Sequence, residues 1–245
     1  MSNNKNIITY SEHAPSKEYV QNMFNSLANN YDELNHKMSW GVDRSWRKSA
    51  INHLKQFNNI DSILDIATGT GDLSILAFRE LKPKEIIGVD ISTKMLEIGI
   101  KKIKENRMSD NIHLMNADCA NLPFEENRFD AVISAFALRN FENLEDCLSE
   151  IYRVLKPGGI ISIIDLCDPI KFPMKQLFWC YKKLIMPLFG RIVSHTDSAY
   201  KYLPYTMSII PQGEDMCQHF SSAGFKNMIY KRLKFQMCIL YSGIK

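Results

Sequence analysis

Apolar and polar positions fall into three regimes along the chain. From residue 19 to 57 apolar residues recur at helical spacing, with aromatics at Phe24, Tyr31, Trp40, Trp46 and Phe57, which predicts packed helices. From Ser62 onward the pattern becomes short apolar runs separated by helical segments. It predicts strands at Ser62–Ile66, Glu85–Asp90, Ile112–Met115, Phe129–Ser134 and Gly159–Leu166, and helices at Asp72–Leu81, Thr93–Asn106 and Leu144–Val154. Strands alternating with helices imply a parallel sheet covered on both faces. The chain ends differently: Asn227–Leu233 and Gln236–Ser242 are strand-like and almost adjacent, which predicts a hairpin.

The expected fold is α/β, a doubly wound, mostly parallel seven-stranded sheet with an antiparallel C-terminal hairpin, Rossmann-like in its winding. A chain of 245 residues suits one domain better than two. Its expected parts are an N-terminal helical segment (1–59), the strand-helix core (60–169), a helical and irregular stretch (170–225) and the hairpin (226–245).

Composition narrows the partners. A net charge of +3 is too small to imply nucleic acid, and none is expected. The six cysteines are scattered without a C-x-x-C pair, and the six histidines do not join them, so neither a metal site nor a disulfide framework is expected. The polar, Asn-rich residues 1–10 lack the pattern of a signal peptide, and no run reaches the roughly 20 apolar residues that span a bilayer. A cytoplasmic protein is the default expectation. The stretch from Pro169 to Thr196 modifies it: it has no acid, yet carries Lys171, Lys175, Lys182, Lys183 and Arg191 among Phe172, Leu177, Phe178, Trp179, Tyr181 and Phe189. Such a basic aromatic segment suits either an anionic membrane surface, through residues 170–193 and peripheral to an inner membrane, or a core-facing helix with a solvated lysine face.

The chemistry concentrates after the first predicted strand, where Asp65-Ile66-Ala67-Thr68-Gly69-Thr70-Gly71 leads into a helix. Gly69 and Gly71 permit a tight turn and close backbone approach to a ligand, with Thr70 between them. A lone G-x-G fits a nucleotide loop, a flavin loop or a plain turn. Ser74 stands where a dinucleotide loop has its third glycine, and Asp65 would repel a pyrophosphate. A ligand with an amino group and a sulfonium suits that acid better. Asp90, about 20 residues beyond the loop, can accept hydrogen bonds from ribose hydroxyls. Asp118 can receive an adenine amino group, with Cys119 alongside. Asp90 and Asp118 would otherwise be helix caps. Three acids at successive strand ends favour S-adenosylmethionine as the cofactor.

Other residues carry a family resemblance. Tyr31-Asp32-Glu33-Leu34-Asn35 continues to Met38-Ser39-Trp40-Gly41 and Arg44-Ser45-Trp46-Arg47, and Tyr152 to Gly159 reads YRVLKPGG. Between and after them stand Leu122-Pro123-Phe124, Phe129-Asp130, Leu138-Arg139-Asn140, Tyr200-Lys201-Tyr202-Leu203-Pro204 and Ala223-Gly224-Phe225. From about Val20 to Lys245 the chain resembles the quinone-ring C-methyltransferases of menaquinone and ubiquinone synthesis, whose fold is the class I S-adenosylmethionine-dependent methyltransferase sheet. The resemblance implies methylation of demethylmenaquinol, an isoprenoid quinol, at a ring carbon. The alternatives are a relative acting on another quinol, phenol or polyketide, and an adenosylmethionine-binding regulatory or assembly module without turnover.

The resemblance also implies a site. Tyr31, Asp32 and Asn35 would build a lid over the cofactor, Trp40 and Trp46 its packing, and Ala135 the cofactor wall at the end of the fourth strand. Arg139 would face the methyl donor and stabilise a developing phenolate, because a guanidinium stays protonated and acts electrostatically. Asn140 would orient a ring oxygen or cap the next helix, and Tyr200, Tyr202 and His195 are further candidates for proton handling or ring contact. The chain departs from the family at Asp165-Leu166-Cys167-Asp168-Pro169 (usually glutamate-phenylalanine-serine), at Ala135-Phe136-Ala137, and at Lys234-Phe235-Gln236 (usually Thr-Gly-Gly). An oligomer is compatible with all of this.

Overall fold

The computed structural model describes Tyr10, residues 13–180 and residues 198–245, the last with side chains from Tyr202 onward. The elements are α1 (Lys17–Leu27), α2 (Tyr31–Met38), α3 (Val42–Leu54), β1 (Ser62–Ile66), α4 (Asp72–Leu81), β2 (Glu85–Asp90), α5 (Thr93–Glu105), β3 (Ile112–Asn116), β4 (Phe129–Ala135), α6 (Leu144–Val154) and β5 (Leu155–Leu166). They continue with α7 (Met174–Cys180), α8 (Ser198–Ile209), α9 (Glu214–Ser222), β6 (Lys226–Arg232) and β7 (Cys238–Ile244). The strands form one seven-stranded sheet in the order β3-β2-β1-β4-β5-β7-β6. Pairs from β3 to β5 are parallel. The β7 strand inserts antiparallel beside β5, and β6 lies antiparallel outside it.

Period-two alternation decides which face each strand residue serves. Leu64, Ile66, Val132, Ile161 and Ile163 pack with Leu148 and Ile151 of α6 and Phe220 of α9. Ile63, Ile86, Ala131 and Ile133 pack on the other face with Ile51, Leu54, Leu73 and Ile103. Helix starts follow local chemistry: the side chains of Ser16, Ser92 and Asn143 cap α1, α5 and α6 by accepting a backbone N–H.

The structure moves several expected features. Strand β5 begins at Leu155, because the Lys156–Gly159 turn itself enters the sheet, with Gly158 N donating to the Lys245 carbonyl at 3.0 Å. The hairpin strands are offset by one or two residues, and Lys234–Gln236 form a single 3-10 turn between them. Trp40 is not packing: it is 82% exposed with a left-handed backbone (φ 53°), because the chain reverses there before α3. Trp46 is buried against Phe136 (ring centroids 6.2 Å) as expected of a packing residue. Asn140 does not cap α6, since Asn143 does.

Candidate active site

The cleft opens at the carboxyl ends of β1 and β4, where chain order reverses direction across the sheet, the usual ligand position in an open α/β sheet. Two cavities meet there and share Tyr31, Ala67, Gly69 and Ala135. The larger encloses about 900 Å³ continuous with solvent, and its apolar walls include Val89, Ile91, Met95, Ala117, Cys119 and Phe141. The smaller is polar, bounded by Arg47, Asp65, Thr68, Thr70 and Asp72.

Asp65 sits at the floor of the smaller cavity, 1% exposed. Its Oδ2 accepts from Thr68 Oγ1 at 2.7 Å and from Ser74 Oγ at 2.6 Å. Its Oδ1 is buried without a hydrogen-bond partner among the described residues. Burial pushes the carboxyl up to about 6, against the pull of the Ser74 and Thr68 hydroxyls. A buried carboxylate oxygen lacking a donor is costly unless a ligand supplies one. The loop above it turns on glycines: Gly69 and Gly71 hold φ of 57° and 78°, where a side chain would be strained. Gly71 lines neither cavity; its part is the turn into α4.

Asp90 lines the larger cavity, accepting Gly69 N–H on Oδ2 and Ser92 N–H on Oδ1, each at 2.8 Å. Its burial raises its pKa. It thereby ties the glycine loop to the end of β2, and each oxygen keeps a lone pair for a hydroxyl donor. Asp118 and Cys119 line the same cavity, and no helix starts at Asp118 to be capped. Asp118 instead pairs with Lys17 at 2.8 Å, bringing the start of α1 across the cavity rim.

The N-terminal helices close over this loop. Asp32 of α2 accepts from Thr70 Oγ1 at 2.6 Å and from Lys102 Nζ at 3.0 Å, and Lys102 also pairs with Asp72. Tyr31, lining both cavities, stacks edge-on with Phe24 at 5.7 Å. Asp43 of α3 gathers Arg47, the His36 ring (3.0 Å) and Ser39 Oγ (2.8 Å), fastening α2 to α3. Burial works against the Asp43 charge, but Ser39, Arg47 and His36 outweigh it and hold the carboxyl below its usual range. The Arg47 guanidinium lies over the Phe136 ring, 5.1 Å from its centroid.

The expected catalytic residues sit on the turn after β4 and do not all reach the cleft. Arg139 lines neither cavity: it is 7% exposed and paired with Asp165 of β5, while donating to the Phe136 carbonyl at 2.7 Å. Its Nε is buried without a hydrogen-bond partner among the described residues. Asn140 does line the larger cavity, donating to Phe136 O at 3.2 Å and accepting from Tyr202 Oη at 2.9 Å. Burial, against the nearby Arg139 charge, raises the Tyr202 phenol. The Tyr200 side chain and all of His195 lie outside the described residues. Lys17, Thr68, Ser74 and Lys102 were not legible as site residues. Their contacts span 3 to 101 positions, or depend on which face of a helix meets the loop. Arg47 stood in the Arg44–Arg47 block without a role; its i,i+4 spacing from Asp43 was the available signal.

A β3-β2-β1-β4-β5-β7-β6 sheet with a glycine turn after β1 and acids at the ends of β1 and β2 defines the methyltransferase version of the doubly wound fold. A solved S-adenosylmethionine-dependent methyltransferase from Aquifex aeolicus shares it, with a TM-score of 0.57 at 16% identity over 80% of this chain and 89% of that one. The chain belongs to the ubiE/COQ5 methyltransferase family, whose profile matches residues 12–245, and is therefore a methyltransferase. It is similar to the demethylmenaquinone methyltransferase of Bacteroides fragilis, 48% identical over 96% of each chain. The demethylmenaquinone methyltransferase of Porphyromonas gingivalis is 40% identical over all of both chains.

Proposed function

We propose that the chain methylates a ring carbon of demethylmenaquinol, using S-adenosylmethionine. The observation that carries the cofactor is the unpartnered, buried Oδ1 of Asp65 beneath the glycine loop, which calls for a cationic donor such as an α-ammonium. The apolar walls of the larger cavity suit a flat adenine, and Asp90 suits its ribose. The substrate is supported by the two relatives above, which cover the chain end to end.

When bound, S-adenosylmethionine supplies an electrophilic methyl group. The protein's part is to hold and activate the nucleophile. A quinol carbon becomes nucleophilic as its ring hydroxyl loses its proton, and phenols titrate near ~10 unperturbed. Asn140, on the cavity wall with its amide fixed by Tyr202 and Phe136 O, is placed to orient that ring oxygen. Arg139 sits in the same turn, paired with Asp165 and donating to Phe136 O, and its part is to hold the turn that presents Asn140. Tyr31 and the α1–α3 segment form the lid that excludes water.

The finer proposal is that the enzyme works at a membrane surface, as an isoprenoid tail would require. Within the described residues 170–180, Ile170, Phe172, Leu177 and Trp179 are 58, 81, 58 and 55% exposed beside Lys171 and Lys175. Residues 181–193 of that stretch lie outside the described residues. Among the described residues no helix is long and apolar enough to cross a membrane, so contact would be peripheral.

Incubation with labelled S-adenosylmethionine and reduced demethylmenaquinone tests the reading. Labelled menaquinol supports it, and methylation of other phenols only would overturn the substrate.

A further inference from the structure

The smaller cavity holds more charge than the ammonium of its proposed ligand requires. Besides Asp65 it is lined by Arg47, a guanidinium 8% exposed as a residue and reached from α3 on the lid side of the glycine loop. Among the described residues, Asp43 is the one hydrogen-bond partner of that guanidinium. A guanidinium carries five donors in a rigid fork, so this contact leaves donors unused. The Phe136 ring lies against it, 5.1 Å from guanidinium carbon to ring centroid, and Asp43, itself held by His36 and Ser39, anchors it. A planar cation anchored in this way is built for a planar anion.

We propose that Arg47 binds the α-carboxylate of the methionine end of S-adenosylmethionine, so that Asp65 and Arg47 together read an amino acid zwitterion. This rests on the adenosylmethionine reading above. Its chemical content is specific: the small cavity selects ligands with both an ammonium and a carboxylate, while the large cavity selects the nucleoside. Because Arg47 also holds Asp43, and Asp43 holds α2, ligand carboxylate and lid share one cation. Binding the amino acid end would then steady Tyr31 and Asp32 over the cleft.

The test is a thermodynamic cycle by calorimetry on the full chain. Its probes are S-adenosylmethionine, decarboxylated S-adenosylmethionine, which lacks only the carboxylate, and methylthioadenosine, which lacks the amino acid end. The native protein should bind S-adenosylmethionine about 10- to 100-fold tighter than the decarboxylated form, the range for charge-assisted hydrogen bonds. In Arg47→Met that gap should shrink to about threefold or less, while methylthioadenosine binding holds steady. Arg47→Lys should keep part of the gap.

Should Arg47→Met fail to fold because Asp43 is left unpaired, the double variant Asp43→Asn/Arg47→Met removes that defect and should show the same closed gap. A gap that survives in either methionine variant overturns the assignment. So does equal weakening of all three ligands, which would make Arg47 a lid support only. Failure of the native protein to bind any of the three overturns the cofactor reading itself, a result distinct from a surviving gap.

Discussion

Replacing Asp65 by asparagine should make the ligand-free protein more stable at neutral pH while abolishing tight cofactor binding. The carboxyl is 1% exposed and shifted from 3.8 to about 6, mainly by burial. The folded state therefore holds this proton more tightly than the unfolded state does. As pH rises from about 4 to about 6 the unfolded chain has released the proton and the folded chain has not, so folding stability falls across that window. Above it the ionised, buried carboxylate carries the full penalty. A shift of about two units corresponds to about 3 kcal/mol at ~1.36 kcal/mol per unit. Asparagine mimics the protonated form. Its oxygen can accept the Thr68 and Ser74 hydroxyls as Oδ2 does now, and its amide can take the place of the orphaned Oδ1. Allowing for weaker hydrogen bonds to a neutral acceptor, the gain at pH 7.5 should be about 1–3 kcal/mol. It should shrink to nothing below pH 4. Urea denaturation at pH 7.5 and pH 4, without ligand, measures both. Adding S-adenosylmethionine should reverse the order, because the native protein gains RT ln(1 + [L]/Kd) and the variant, without its anion, gains little. An asparagine variant less stable than the native protein at pH 7.5 would refute the claim that Asp65 is held in strain for a cationic ligand.

Arg139→Met should cost about 3–5 kcal/mol, since it strands Asp165 in the core; pairing it with Asp165→Asn should restore much of the melting temperature but not turnover. Tyr202→Phe removes the donor to Asn140 and should lower kcat with little change in the KM for S-adenosylmethionine, as steady-state kinetics would record. Lys102→Met unties Asp32 from α5 and should act oppositely, raising that KM and speeding ligand release in stopped-flow traces, with kcat nearly kept. Gln236→Gly should raise the melting temperature, equivalent to about 1 kcal/mol, because Gln236 has a left-handed backbone (φ 57°) and a buried Oε1 without a partner among the described residues. Vesicles rich in anionic lipid should pull the protein down at low salt and release it at high salt; no pelleting at low salt removes the membrane proposal.

Elements whose periodicity coincides with their own burial were legible from residues alone. The helices at Asp72–Leu81 and Leu144–Val154 have the predicted bounds, since each starts at a glycine turn or an asparagine cap and packs one apolar stripe. The acids at the ends of β1 and β2 were legible because ligands in an open parallel sheet bind at the carboxyl ends of its strands, so position along the chain already meant position in space. Trp40 shows where that inference stops: spacing marks a helical stripe, but whether the last turn faces core or solvent depends on where the chain reverses, and Trp40 falls on the reversal.

The turn at Lys234–Gln236 shows how a departure in sequence need not be one in shape. Where the family usually has two glycines, Phe235 and Gln236 still adopt φ of 62° and 57°. The constraint comes from the neighbours: Trp46 Nε1 donates to the Lys234 carbonyl at 3.1 Å, and Cys167 N donates to the Met237 carbonyl at 3.0 Å. With both ends pinned, the turn keeps its left-handed path whichever residues occupy it, and the cost falls on backbone strain rather than on the position of β7. The same argument applies to Asp165 in place of glutamate. Its carboxylate still receives the Arg139 backbone N–H at 3.0 Å as well as the guanidinium, so the turn carrying Asn140 is anchored to β5 through the shorter acid. These two departures thus leave the scaffold of Asn140 in place. The one at Lys234–Gln236 lies at the turn surface, where Phe235 is 43% exposed, whereas the one at Ala135-Phe136-Ala137 lines the larger cavity.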